Sequence, residues 1–206
     1  MGSISFIHAL LFLLVPMVSQ VIHASDRDIK LNSVVPRSIA TADASFFTHS
    51  AFRALIGADQ PAVFGVMKVS EAEFPALNGQ GVSYAVLRFP SGSLNPSHRH
   101  PESAELLFLL AGSLEVGFID ANNVLRSETL EAGDVFVFPK GVVHYQYNYG
   151  QDSGFAISAF GDADVRTIRS PGSIVSTNIR DDSIAKSVKI DASNVEKIKD
   201  SFILAD

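Results

Sequence analysis

The middle of the chain is built from short stretches that mix β-branched and aromatic residues with small or polar ones. The first is Val82-Ser83-Tyr84-Ala85-Val86-Leu87-Arg88-Phe89, a composition suited to a pleated, half-buried strand. Similar runs follow at Leu106 to Leu110, Ser113 to Ile119, Val124 to Leu130, Val135 to Phe138, His144 to Tyr147 and Phe155 to Phe160, separated by turn residues. Seven strands at this spacing predict an all-β sandwich or barrel over about residues 60–165. Asp120-Ala121-Asn122-Asn123 reads as a hairpin loop. Glu131-Ala132-Gly133-Asp134 reads as a second turn, in which Gly133 can take a positive φ at little cost.

Beyond about residue 165 the period changes. Ile184 and Val188, then Val195, Ile198 and Phe202, recur at helical intervals, and Ser193-Asn194-Val195-Glu196 matches a capping box. Two short helices are therefore expected over about residues 181–203, covering one end of their own barrel or contacting another subunit. Residues 25–60 contain Pro36, scattered Ser, Thr and Ala, and the Phe46-Phe47 pair; they read as an extended N-terminal arm. Residues 1–24 carry no Asp, Glu, Lys or Arg, and their apolar run from Ala9 to Val18, interrupted by Pro16, is too short for a membrane span. The small residues around His23-Ala24-Ser25 place signal-peptide cleavage after Ala24. The expected product is a secreted single domain, residues 25–206, with no membrane span.

Composition narrows the chemistry. A net charge of −6 in 206 residues, with no Lys/Arg cluster longer than two, argues against nucleic acid as a partner. The absence of cysteine rules out disulfides and thiolate ligands, so a bound metal must be held by nitrogen and oxygen. Past residue 24 the histidines are His49, His98, His100 and His144. His98 and His100, two apart, would share one face of a strand. Glu105 opens the next strand, and His144 opens a later one. His49 stands outside any pattern, and Glu102 is a rival carboxylate whose loop position favours solvent. Three imidazoles and one carboxylate leave two positions open on an octahedral ion, which suits Mn or Fe better than closed structural zinc. One carboxylate on a divalent ion leaves a net +1, which attracts small anions such as superoxide or a dicarboxylate.

Two segments carry a resemblance: Gly92-(5)-His98-x-His100-(4)-Glu105-(6)-Gly112 and Gly133-(5)-Pro139-x-Gly141-(2)-His144-(3)-Asn148. They resemble the paired motifs of cupins and, more narrowly, of the germin-like proteins of plants, through Asn95-Pro96-Ser97-His98-Arg99-His100-Pro101, Ile157-Ser158-Ala159-Phe160 and Val195-Glu196-Lys197-Ile198-Lys199. The resemblance implies a cupin jelly-roll barrel and Mn(II) held by His98, His100, Glu105 and His144. It also implies an apoplastic or cell-wall location and a homo-hexamer assembled as a trimer of dimers.

Three departures from the family pattern bear on function. The N-terminal cysteine pair is missing, as are glycosylation sequons, since Asn95-Pro96-Ser97 is disqualified by its proline. Germins with oxalate oxidase activity carry two asparagines near the metal. Asn95 matches one, but the position ten residues earlier is Ala85. Losing one hydrogen bond to a charged ligand costs on the order of 1.5–3 kcal/mol, so the sequence predicts that oxalate oxidation is disfavoured. It favours superoxide dismutation, with a part in defence or cell-wall responses. The alternative is a non-catalytic cupin that binds a small carboxylate or hormone, or a structural wall protein.

Overall fold

The computed structural model describes residues 43–170 and 178–203, with side chains described through residue 200. The expected signal segment and most of the expected arm lie outside the described residues. The strands are β1 (Gly65–Val69), β2 (Ser83–Phe89), β3 (Leu94–Arg99), β4 (Glu105–Ala111), β5 (Ser113–Ile119), β6 (Leu125–Glu131), β7 (Val135–Phe138), β8 (His144–Tyr147), β9 (Gly154–Phe160) and β10 (Ile168–Arg169). They form two five-stranded sheets, in the orders β1-β2-β9-β4-β7 and β10-β3-β8-β5-β6.

Alternation explains the core. In β4, Glu105, Leu107 and Leu109 are buried while Leu106, Phe108 and Leu110 are exposed, because successive side chains project to opposite faces of a strand. The inward set joins Phe89 and Phe138 of the same sheet and Leu114 and Val116 of the other in one hydrophobic cluster. Asn148, just after β8, ties the loops at one end. Its Nδ2 donates to the carbonyls of Phe89 at 2.9 Å and Asp152 at 2.8 Å, and its Oδ1 accepts from the Gly150 N–H at 3.0 Å. Gly112 turns β4 into β5 at φ +81°, and a Cβ there would stand 2.6 Å from the Ser153 carbonyl oxygen, so only glycine fits.

The seven predicted strands are present with ends moved by at most a residue or so, and the structure adds β1, β3 and β10. Pro96 hides β3 from a propensity reading, because proline cannot donate to a ladder. The pairing of β3 with β8 absorbs it through a register shift between Asn95 and His98. β10 is only two residues long, too short for any periodic signal. The described part of the expected arm is not extended: it forms a turn and a 3-10 helix at Ala51–Leu55.

The two expected helices are α1 (Asp181–Val188) and α2 (Ala192–Ile203), which meet through Ile184, Ala185 and Val195. α2 begins at Ala192, so Ser193 lies inside its first turn and not at the cap that the sequence predicts. Among the described residues, no helix is long and apolar enough to cross a membrane.

Candidate metal centre

Three strand ends, those of β3, β4 and β8, bring four side chains together between the sheets. His98 on β3 pairs in register with His144 on β8, and paired residues on neighbouring antiparallel strands project to the same face, so their imidazoles lie 4.2 Å apart between centroids. His100 follows one residue after β3, and the Gly141 N–H donates to its carbonyl at 3.0 Å, joining the first ligand segment to the second. Glu105 enters from the opposite sheet at the start of β4. The candidate ligand atoms of these four residues lie within 4.8 Å of one another, and all four side chains are buried. His49 sits elsewhere, against the Phe74 ring at 5.3 Å. Glu102 is ion-paired with Arg166.

Hydrogen bonds orient each imidazole. Nδ1 of His98 lies 2.7 Å from the Pro96 carbonyl, Nδ1 of His100 lies 2.9 Å from that of Arg166, and Nδ1 of His144 lies 3.0 Å from that of Val142. A carbonyl only accepts, so these contacts assign the proton to Nδ1 and leave a lone pair on each Nε2 of a neutral ring. Yet Nε2 of His100 and of His144 stand 3.2 Å and 3.1 Å from Oε2 of Glu105. Lone pairs directed at a carboxylate oxygen repel unless a cation lies among them, so this donor set fits a metal ion. Burial is the main cause that lowers the His98 pKa to about 4, which keeps that ring neutral. Burial alone would raise the Glu105 pKa, but hydrogen bonding at the carboxylate, that of Ser158 included, holds it below the usual carboxylate range.

The other oxygen of Glu105 is fully engaged. Oε1 accepts from the Ser158 hydroxyl at 2.5 Å and from Gln146 Nε2 at 3.1 Å. Since Gln146 must turn its N–H toward the carboxylate, its carbonyl faces away and accepts from Asn95 Nδ2 at 2.5 Å. The carboxylate thereby fixes the amide direction of Asn95, which lines the cavity above the cluster. Aromatic rings close the shell: Phe138 stacks on His144 with centroids 4.4 Å apart, and Phe160 meets His100 edge-on at 5.0 Å. Sequence reasoning missed Gln146 and Ser158. Gln146 was within reach, being two residues after His144 in a strand and hence on the same face. Ser158 was read only as part of a strand, with no signal for which face of the sheet its hydroxyl would take.

Two sheets with three histidines and a glutamate converging between them define the metal-binding class known as cupins, and a cupin family model matches residues 59–196. The chain is 46% identical over 183 residues to germin-like protein 9-3 of Oryza sativa subsp. japonica, covering 85% of this chain and 86% of that one. It belongs to the germin-like family of cupins. Two solved structures are also similar. One comes from a study of the mechanism of oxalate oxidase (TM-score 0.71, 30% identity), and the other is an oxalate oxidase in complex with the substrate analogue glycolate (0.71, 29%). Each match covers 82% of this chain and 85% of that one. The cluster is consistent with Mn(II).

These likenesses overturn the expectation that superoxide dismutation is favoured and oxalate oxidation disfavoured. The fold matches that of solved oxalate oxidases, and within it this chain carries a buried cluster of three histidines and one glutamate. The argument from Ala85 gave one hydrogen bond decisive weight. The structure keeps the cluster and Asn95, and Thr167, Lys68 and Arg169 line the same cavity as further polar groups.

Proposed function

We propose that this chain is a secreted, Mn(II)-dependent oxidase of the oxalate oxidase type, with His98, His100, Glu105 and His144 as the metal ligands. The convergence of two Nε2 lone pairs on a single carboxylate oxygen, with His98 in the same cluster, carries the reading, and the likeness to oxalate oxidases supplies the reaction type. When bound, Mn(II) supplies a redox-active Lewis acid with positions not taken by protein. The protein's own part is to hold charge and exclude water. Glu105 balances one of the two positive charges and leaves the site attractive to an anion. Ser158 and Gln146 occupy Oε1, so Oε2 is the oxygen offered to the ion. Asn95 keeps one amide hydrogen for a carboxylate in the cavity. Oxidation of oxalate to two molecules of carbon dioxide releases two electrons, which O2 takes up with two protons to form hydrogen peroxide.

Closure of the two sheets into a jelly-roll barrel, cleavage after Ala24, an apoplastic location and homo-oligomerisation belong to the same proposal. Self-association is supported by the outward face of β4 and β7, where Leu106, Phe108, Leu110, Val135 and Val137 are all exposed and Leu106 pairs with Val137 and Phe108 with Val135, an apolar face of the kind that marks interaction surfaces. The test is oxygen uptake and peroxide formation on oxalate by the Mn-loaded protein, with His98→Ala as control. Turnover abolished in the variant is expected. Stoichiometric manganese without turnover would move the assignment to a binding role.

A further inference from the structure

Glu102 lies outside the ligand cluster, yet it stands in the loop that joins two of its members, after His100 and before Glu105. Facing that loop is the segment 161–167, which carries the chain from β9 in one sheet to β10 in the other. Val165 and Thr167 of this segment line the cavity, so it forms part of the wall. Its first half is pinned through the backbone. The Gly161 N–H donates to Ser103 Oγ at 2.9 Å, the Ser83 hydroxyl to the Asp162 carbonyl at 2.6 Å, and the Glu71 N–H to the Ala163 carbonyl at 2.8 Å.

The second half meets the loop through Arg166, which grips it twice. Its carbonyl takes the Nδ1 proton of His100 at 2.9 Å, and its guanidinium is ion-paired with Glu102. The residue that orients the His100 ring is thus anchored by its own side chain to the loop that carries His100. A second partner stands close by: Oγ1 of Thr167 lies 3.5 Å from the same Nδ1. The two partners are not equivalent. A carbonyl only accepts, and so holds the proton on Nδ1 and the lone pair on Nε2. A hydroxyl also donates, and a Thr167 O–H directed at Nδ1 would put the ring proton on Nε2, where it blocks ligation.

We propose that the Glu102–Arg166 ion pair is a latch that keeps the Arg166 carbonyl, and not the Thr167 hydroxyl, against Nδ1 of His100, and so keeps the Nε2 lone pair aimed at the metal position. Both are positioning residues, and neither touches the ion. The proposal rests on the ligand set of the oxidase reading. An exposed pair acts modestly and is screened by salt, so the latch biases the ring.

Two readouts test it on the full-length protein. In the metal-free form, nitrogen NMR of the imidazoles reports which nitrogen of His100 holds the proton. Wild type is expected to show Nδ1–H, and Glu102→Gln and Arg166→Met each a population protonated at Nε2. In the Mn-loaded form, both variants should release manganese to a chelator faster, by about 2- to 5-fold, with an altered Mn(II) EPR fine structure. The sign is decisive, because a plain charge effect on the cation would make Glu102→Gln release faster and Arg166→Met slower. The reversed pair, Glu102→Arg with Arg166→Glu, should return the wild-type tautomer. Added salt should speed release from wild type more than from either single variant. Both side chains are largely exposed, so unfolding temperatures should stay at the wild-type value. An unchanged His100 tautomer in both single variants would overturn the latch, as would release rates that move in opposite directions. A wild-type protein that retains no manganese would refute the ligand set, and the tautomer comparison would still decide whether the ion pair holds the ring.

Discussion

The floor and the mouth of the cavity are made in opposite ways. At the floor every polar atom not directed at the ion position is answered: three Nδ1 atoms face backbone carbonyls, and Oε1 of Glu105 accepts two hydrogen bonds. The side chains there are 2–4% exposed. At the mouth, two exposed cations project from edge strands over apolar walls. A floor of this kind fixes an ion and its geometry with little tolerance for change, whereas a mouth of this kind selects among ligands and tolerates substitution. Mutations should therefore divide into those that abolish metal binding and those that alter what the metal site receives.

The largest effect is expected at Glu105. Glu105→Gln removes the only charge among the four candidate ligands, and the penalty in metal affinity should exceed the roughly 100-fold that losing an outer partner costs. Manganese content after dialysis checks this. The fold should survive, because the amide that replaces the carboxylate carries a smaller desolvation cost. A variant that retains one manganese per chain would break the distinction between floor and mouth.

Acid should act on the floor next. A His98 pKa at about 4, set mainly by burial, lies below the ordinary 6.5, so on acidification the unfolded chain takes its proton first. Stability from this residue is complete above about pH 6.5, declines as pH falls toward 4, and levels off once the folded state protonates too. The full loss is on the order of 3 kcal/mol. Urea midpoints of the metal-free protein at pH 7.5 and 4.5 measure it. His98→Gln should flatten the slope, and an equal slope in both proteins would refute the assignment.

Most of the floor was legible in the chain because strand periodicity is short-range: His98 and His100 two apart, Glu105 opening a strand and His144 opening another are local facts. The mouth was not legible. β1 contributes Val66 and Lys68 through a five-residue edge strand whose alternation reads weakly because much of it is exposed, and β10 exists only through its pairing with β3. Pro96 concealed β3 itself, since a ladder that skips a residue is a tertiary event. The error about oxalate had the same root: Ala85 was visible, but the groups opposite it across the cavity were not.

Within the floor, Gln146→Leu should cost about 1–3 kcal/mol, since it leaves Asn95 Nδ2 without its acceptor and removes one of the donors to Glu105. It should also weaken manganese retention about 10-fold or more and change the Mn(II) EPR line shape. Affinity and line shape matching wild type would show that Gln146 serves packing alone.

The smallest effect belongs to Ser158→Ala, and it tests the floor most finely. The hydroxyl is fully buried and reaches Oε1 of Glu105 at 2.5 Å, yet the variant leaves that oxygen a donor in Gln146, so no acceptor is stranded. Stability should fall by about 1 kcal/mol, and the cavity left by one oxygen atom is too small to add much. With one donor gone, Oε1 is freer to approach the ion, and Glu105 can shift from one-oxygen toward two-oxygen ligation. The expected signature is an altered Mn(II) EPR fine structure at nearly unchanged metal stoichiometry, reversed in Ser158→Thr, where a hydroxyl returns. If Ser158→Ala and Ser158→Thr give the wild-type spectrum alike, the geometry of Glu105 is set by Gln146 and the imidazoles, and Ser158 does no more than satisfy an oxygen that would otherwise be under-bonded.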